Sequence, residues 1–246
     1  MRTLTSPYYL AQGFPLLLQP GIRRYVVIPL LINFVLFTAF IIFGISQFSD
    51  WVNSYVPTLP DWLQWIEWLL WPLFLLSFIA IGFFVSLLLA NLIAAPFNSL
   101  LAEAIVHRLR PAAAAAPTGL ADALKSIPAE LASEIKKLAW FAVRSLPLLV
   151  LFVIPGINIV APVLWLAFSA WVLALENLEF PLATNGLLFD EIRRELGQQR
   201  LATLSFGAGV LLITVIPVIN FFTIPIAIAG ASVFYVEQVI EQSSTH

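Results

Sequence analysis

Residues 25–49 read YVVIPLLINFVLFTAFIIFGISQFS, a run without a single charged side chain. A helix crosses a bilayer core of about 30 Å with about 20 apolar residues. The stretch therefore predicts one membrane-spanning helix. Three more charge-free stretches follow, at 68–102, 145–175 and 201–236. Hydrophobic residues make up 61% of the 246 and charged residues only 11%, too few to solvate a soluble domain of this size. The predicted fold class is an all-α integral membrane protein, with 1–246 forming a single membrane domain.

The second stretch is longer than one crossing needs. It predicts a second long membrane helix over 69–102, opened by Pro72 and kinked or ended near Pro96, because proline removes a backbone donor. A tilted helix that runs on past the membrane face is the alternative.

The last two stretches are broken in the middle. One reads Ile154-Pro155-Gly156-Ile157-Asn158 and the other Ile216-Pro217-Val218-Ile219-Asn220, so an I-P-x-I-N element occurs twice. The apolar arms on either side run over 146–154 and 164–175, then 201–216 and 226–236. At about 1.5 Å per residue, most of them fall short of the bilayer core. They predict two re-entrant, half-penetrating helical hairpins at 145–175 and 201–236. Their irregular tips must meet protein or a wet cavity. Ordinary spanning helices with arms lengthened into their flanks are the competing reading. Asn158 and Asn220 are expected to cap the broken helix ends.

The polar segments set the topology. Residues 50–67 carry Trp51, Trp62 and Trp65, suited to a membrane–water interface. The segment 103–144 holds an alanine- and proline-rich linker at 111–117. It continues as an amphipathic helix with Leu120, Leu124, Ile127, Leu131, Ile135 and Leu138 at helical spacing. A short charged helix is expected over 186–200. All 12 Lys and Arg residues lie in 1–24, 103–144 and 176–200, and none in 50–67. If each hairpin returns to the side it left, those three segments share the cytoplasmic side.

Enzyme chemistry finds no motif. There is no cysteine, and neither His107 nor His246 belongs to a metal-binding pattern. No nucleophile elbow and no phosphate loop is present. No catalytic residue, metal site or cofactor is predicted, and a net charge of −2 does not suggest a nucleic-acid partner. The segment 1–24 does not read as a cleaved signal peptide, since Pro7, Pro15 and Pro20 interrupt it.

One cluster suits an anion. Gln19-Pro20-Gly21-Ile22-Arg23-Arg24 stands directly before the first membrane helix. Gly21 permits close backbone approach. Unpaired N–H groups near Gly21 and Ile22, together with a helix N-terminus, attract negative charge. Arg23 and Arg24 add two planar donor forks. The competing reading is that the arginines only anchor and orient the helix. A second cluster holds Asn91 and Asn98, seven apart and on one helix face, then Glu103, His107, Arg108 and Arg110. The asparagines suit either a pore wall or helix–helix hydrogen bonding. Glu103 is expected to be paired with an arginine.

These residues also carry a resemblance. The chain resembles the CysZ-type bacterial sulfate permeases in the 19–24 cluster and in Pro60-Asp61-Trp62-Leu63-Gln64-Trp65. It does so again in Ile93-Ala94-Ala95-Pro96-Phe97-Asn98, in Leu101-Ala102-Glu103, in Ile154-Pro155-Gly156 and in Ala161-Pro162-Val163-Leu164-Trp165. The likeness covers essentially the whole chain in order and is poorest near 111–117. It implies two long membrane helices, shorter half-penetrating ones and a homo-oligomer in the lipid bilayer. It also implies sulfate uptake across the inner membrane for cysteine biosynthesis, with Gly21, Ile22, Arg23 and Arg24 binding sulfate. Pore-lining roles for Asn91, Asn98, Glu103, Arg108 and Arg110 are implied less directly. A non-transporting membrane scaffold and a channel for another small anion are the other readings the residues allow.

Overall fold

The computed structural model describes residues 6–55, 64–111 and 120–240, and among these every regular element is helical. In chain order they are α1 (Ser6–Leu17), α2 (Arg24–Tyr55), α3 (Gln64–Leu109), α4 (Leu120–Val153) and α5 (Ala161–Ala183). Then come α6 (Phe189–Gln198), α7 (Arg200–Thr214), the single turn α8 (Pro217–Asn220) and α9 (Thr223–Phe234), which runs into a π-helical turn at Tyr235–Ile240. Asp61 and Trp62 of the interfacial segment and the linker from 112 to 117 lie outside the described residues. The chain forms two compact units, Tyr25–Phe97 and the remainder.

The unit Tyr25–Phe97 is an antiparallel pair made by α2 and the first part of α3. Phe40 stacks on Phe78 with ring centroids 5.9 Å apart. Gly82 makes room for that contact, because a Cβ there would come within 2.1 Å of the Phe40 ring. Large apolar side chains such as Phe34, Ile42, Phe84 and Leu88 face outward. An apolar exterior suits lipid.

Helix α3 corrects the expectation built on its prolines. It runs unbroken for 46 residues with both Pro72 and Pro96 inside it. Membrane helices tolerate proline because neighbouring side chains and small local adjustments satisfy the freed backbone groups. The 46 residues of α3 exceed the roughly 20 that cross a bilayer core.

The other unit is organised by backbones that touch. Gly207 of α7 lies against α5 so closely that a Cβ would sit 1.7 Å from the Ala170 carbonyl oxygen. Gly13 of α1 does the same against α9, where a Cβ would lie 2.4 Å from the Gly230 nitrogen. Helices that cannot gain from hydrophobic burial in lipid associate through such small-residue contacts. Around them Tyr9, Phe206 and Phe234 interlock, with centroid distances of 5.1 Å and 5.8 Å to the Phe234 ring. The Gln238 side-chain amide donates to the Tyr9 hydroxyl at 2.8 Å and ties the π-helical turn to α1. Helix α1 has no counterpart among the sequence expectations, because Pro7 and Pro15 obscure it. Pro7 stands in its first turn, where a missing donor costs nothing.

The two I-P-x-I-N elements fold alike. Asn158 N–H donates to Ile154 O and Asn220 N–H to Ile216 O, at 3.0 Å and 2.8 Å. The bonds Val160 to Ile157 and Leu164 to Val160 recur as Phe222 to Ile219 and Ile226 to Phe222. Helices α5 and α9 therefore begin at Ala161 and Thr223, at equivalent places in the two repeats. The asparagines enter these turns through their backbones. Neither α5 nor α9 has a side-chain cap, so the capping role expected for Asn158 and Asn220 is not what the tips use.

The arms differ from the charge-free counts. Helix α5 has 23 residues, because it runs on through Glu176 and Glu179. Lys137 of α4 makes this possible, with its ammonium 2.7 Å from Glu179 and 2.8 Å from Glu134. Burial opposes the charge on Lys137, but hydrogen bonds and charge from Glu134 and Glu179 outweigh it and raise the lysine pKa. Among the described residues, three helical segments are thus long and apolar enough to cross a membrane: Arg24–Phe43, Leu75–Leu109 and Ala161–Ala183. The third adds to the two expected. Helices α7 and α9 stay short, at 15 and 12 residues.

Helix α4 joins the amphipathic segment to the first hairpin arm without a break. Leu131, Ile135, Leu138, Leu146, Leu149 and Val153 form one exposed apolar stripe along it. The packed face carries Ser133, whose hydroxyl oxygen accepts the Phe189 N–H at 2.8 Å.

Gly207→Ala is expected to destabilise the folded protein by about 3 kcal/mol or more, because backbone stands in the way. Gly197→Ala, with open space around it, should be neutral or stabilising by up to about 1 kcal/mol. Thermal unfolding in detergent compares the two. Lys137→Met leaves Glu134 and Glu179 facing each other and should cost on the order of 3 kcal/mol. A raised folded pKa makes this stabilisation complete below the ordinary lysine value of about 10.4. It is lost as pH rises through the folded value, so the deficit of Lys137→Met should narrow only in strong alkali.

Candidate anion-binding site

Residues 18–23 form the turn between α1 and α2. Gly21 adopts φ +91°, with no atom within 4 Å of where a Cβ would be. An L side chain at that φ is strained, so glycine is required by the backbone and not by crowding. Ile22 is buried at 3% exposure, while Gly21, Arg23 and Arg24 are exposed. The turn is pinned by one apolar side chain and presents its polar groups outward.

One expectation is corrected here. The Ile22 and Arg23 N–H groups are not free, because both donate to the Gln19 carbonyl at 3.1 Å and 3.2 Å. A tight turn needs those bonds to close. Ile22 therefore anchors the loop, and the Gly21 amide is left without a partner among the described residues. The guanidinium groups become the principal donors. Arg23 makes no ion pair among the described residues.

The placement of these charges is itself informative. Helix α2 starts at Arg24, so two cations crowd the positive end of a long helix dipole. Each such charge disfavours the helix by roughly 0.3–1 kcal/mol. An anion bound there removes the penalty. The turn also holds Gln19, whose Oε1 is buried with no hydrogen-bond partner. An amide reads the same with O and N exchanged, and the exchanged form offers a donor instead. The sequence places Gln19 in the cluster without a role, since only the closed turn reveals the unsatisfied amide.

The second cluster lies on α3. Asn98 is half-buried and Glu103 exposed. Asn91 belongs to the unit Tyr25–Phe97, whereas Asn98 belongs to the other. The Asn91 side chain lies outside the described part of the structure. Glu103 makes no ion pair among the described residues, contrary to expectation. Glu103, His107 and Arg110 share a face by their spacing. The nearest neighbour in that row is a histidine, and Arg110 stands two turns away beyond the helix end. His107 and Arg108 occupy the last turn of α3, where cations favour the negative helix end. Arg110 N–H closes that end on Val106 O at 2.8 Å.

A polar pair absent from the sequence expectations lies between α2 and α3. Asn33 and Ser86 line a cavity of about 300 Å³ with Phe37, Phe40, Phe83 and Leu89. Asn33 Oδ1 is buried there without a partner. The signal was available, since an amide within a spanning segment faces protein or water more often than lipid.

A sequence profile of the family described as sulfate transporter CysZ/etoposide-induced protein 2.4 matches residues 9–225. Among individual proteins, the sulfate transporter CysZ of Salmonella paratyphi A is 43% identical over 94% of this chain and 91% of its own length. Those of Pseudomonas fluorescens and Pseudomonas paraeruginosa are 40% and 39% identical over 96% and 97% of this chain and 94% and 97% of their own lengths. This is a transporter family and not an enzyme family. The chain belongs to the sulfate transporter CysZ/etoposide-induced protein 2.4 family.

Proposed function

We propose that this chain is a multi-pass permease of the bacterial inner membrane that carries sulfate into the cytoplasm for cysteine biosynthesis. The observation that carries the reading is the near-complete match to relatives named for sulfate transport. The turn before α2 supports it independently. Sulfate docks on Arg23 and Arg24 with the Gly21 amide as a backbone donor, while buried Ile22 holds the loop in shape. Gln19 joins them by turning its amide nitrogen toward the anion. The dianion offsets the two cations at the positive helix end, so binding and helix stability favour the same state.

Beyond the docking turn, sulfate follows a polar path lined by Asn91, Asn98, Glu103, Arg108 and Arg110. The two units serve one membrane domain, and a homo-oligomer completes the path. The hairpins at 145–175 and 201–236 dip into the bilayer and return. The α7–α9 pair supports this most, since α7 extends only about 22 Å and α9 with its π-helical turn about 25 Å, both short of a core of about 30 Å. Helix α5 has the length to cross. Cysteines placed at Asn158 and Asn220 test the topology. Labelling of either one only from the far side of the membrane sinks the re-entrant reading for that hairpin.

Sulfate uptake into proteoliposomes by wild type, against Arg23→Ala combined with Arg24→Ala, tests the function. Wild type should accumulate sulfate, and the double variant should bind it at least about a hundredfold more weakly, since each charged hydrogen bond is worth about 1.5–3 kcal/mol. In the same comparison Gly21→Ala should cost about 1–2 kcal/mol of backbone strain and weaken sulfate binding. Unchanged uptake in the double variant removes the proposed site. No uptake by correctly folded wild type removes the transport reading.

Binding at the turn should also weaken as salt rises, because the arginines are exposed and screening acts on them. Calorimetry at two ionic strengths checks this, and salt-independent binding would place sulfate in an occluded pocket instead.

A further inference from the structure

A second set of cations lies on the charged layer formed by α4, α5 and α6, far along the chain from the turn at 18–23. Trp140 of α4 sits at its centre. The Arg144 guanidinium packs over the indole, 4.1 Å from its centroid, and Arg193 of α6 lies 5.9 Å from the same ring. Phe168 of α5 stacks at 6.4 Å and Phe189 meets the ring edge-on at 6.0 Å, which fixes the indole in place.

Two donors in this cluster have no acceptor. Trp140 Nε1 and Arg193 Nε are both buried atoms without a hydrogen-bond partner. Leaving such a group unpaired is costly, and more so when it is charged. Both groups can only donate, so the missing partner is an acceptor. The local charges say which kind. Asp190 is shared between Lys136 at 3.3 Å and Arg193 at 3.6 Å. Glu134 and Glu179 are held by Lys137. Arg144 makes no ion pair among the described residues, so its own charge has no carboxylate partner there. Water would satisfy the donors but would leave that charge in place. An oxyanion satisfies both.

We propose that Trp140, Arg144 and Arg193 form a second anion site, which takes a tetrahedral oxyanion of the phosphate or sulfate class. Its ligand reaches the site as a free ion or as the phosphate of an anionic lipid headgroup. The lipid source has a physical basis, because Arg144 stands where the amphipathic half of α4 passes into its apolar half, and tryptophan with arginine is characteristic of such a boundary. The site does not depend on the docking turn and contributes no residue to it.

The test uses the full chain with Arg23→Ala and Arg24→Ala, so that sulfate at the docking turn does not contribute. Sulfate, phosphate and chloride are titrated by calorimetry in neutral detergent. Separately, retention of phosphatidylglycerol against phosphatidylcholine is read by native mass spectrometry. Binding of sulfate, phosphate or phosphatidylglycerol should persist in this background. It should weaken about tenfold or more on adding Arg144→Gln, the loss expected for one charged hydrogen bond. Trp140→Phe keeps the ring stack and removes only the N–H, so it should weaken binding by a smaller factor without unfolding the protein. A response to the two free oxyanions identifies a soluble ligand, and a response confined to phosphatidylglycerol identifies a lipid. The proposal is overturned if no oxyanion or anionic lipid binds in this background, if chloride binds equally well, or if both added variants bind like their parent.

Discussion

The close approach of backbones at Gly207 with Ala170, and at Gly13 with Gly230, is the contact on which the larger unit depends. In a bilayer, apolar side chains gain little by exchanging lipid for a neighbouring helix. What holds helices together is dispersion across short distances and the few polar groups they bury. Glycine at these two crossings lets α7 settle on α5 and α1 on α9. The Tyr9, Phe206 and Phe234 rings and the Gln238 hydrogen bond then lock the arrangement. The turn at 18–23 inherits its position from this, because it leaves the end of α1 and is pinned by buried Ile22.

Backbone accounting explains the rest of the fold. A chain in hydrocarbon cannot leave peptide groups unpaired. The two Ile-Pro-containing tips meet that demand with the same backbone hydrogen bonds, repeated at equivalent positions. Proline breaks each helix at a place where the next few residues can close a turn by themselves. The unbroken course of α3 through Pro72 and Pro96 is the opposite outcome of the same residue type. Proline alone does not decide between them. At the tips a second irregularity is present, with Gly156 at positive φ in one and a separate single helical turn in the other.

How much of this was legible follows from which interactions are local. The charge-free runs announce α2, α3 and the apolar helices on either side of the two tips, because membrane insertion is decided by composition along a single segment. The repeated tip is legible for the same reason. Helix α1 is not, since it is held by α9 at the opposite end of the chain, and its prolines read as interruptions. The length of α5 is hidden because Glu176 looks like an end. Only the tertiary contact to Lys137 lets Glu179 continue the helix. At the candidate anion site, the residue types and the need for glycine are readable in Gly21 to Arg24. The division of labour is not. Ile22 serves as an anchor rather than a donor, and Gln19 holds an unsatisfied amide, because both depend on how the turn closes.

The proposed function rests on one position, an oxyanion at the turn between α1 and α2, where two arginines meet the positive end of a helix. The most direct measurement is the structure of the full chain with selenate, a heavier analogue of sulfate whose selenium is located by anomalous diffraction. Selenium density within hydrogen-bonding reach of the Arg23 and Arg24 guanidinium groups and the Gly21 amide is the predicted result. Selenium bound elsewhere, with that turn empty at a saturating concentration, would contradict it.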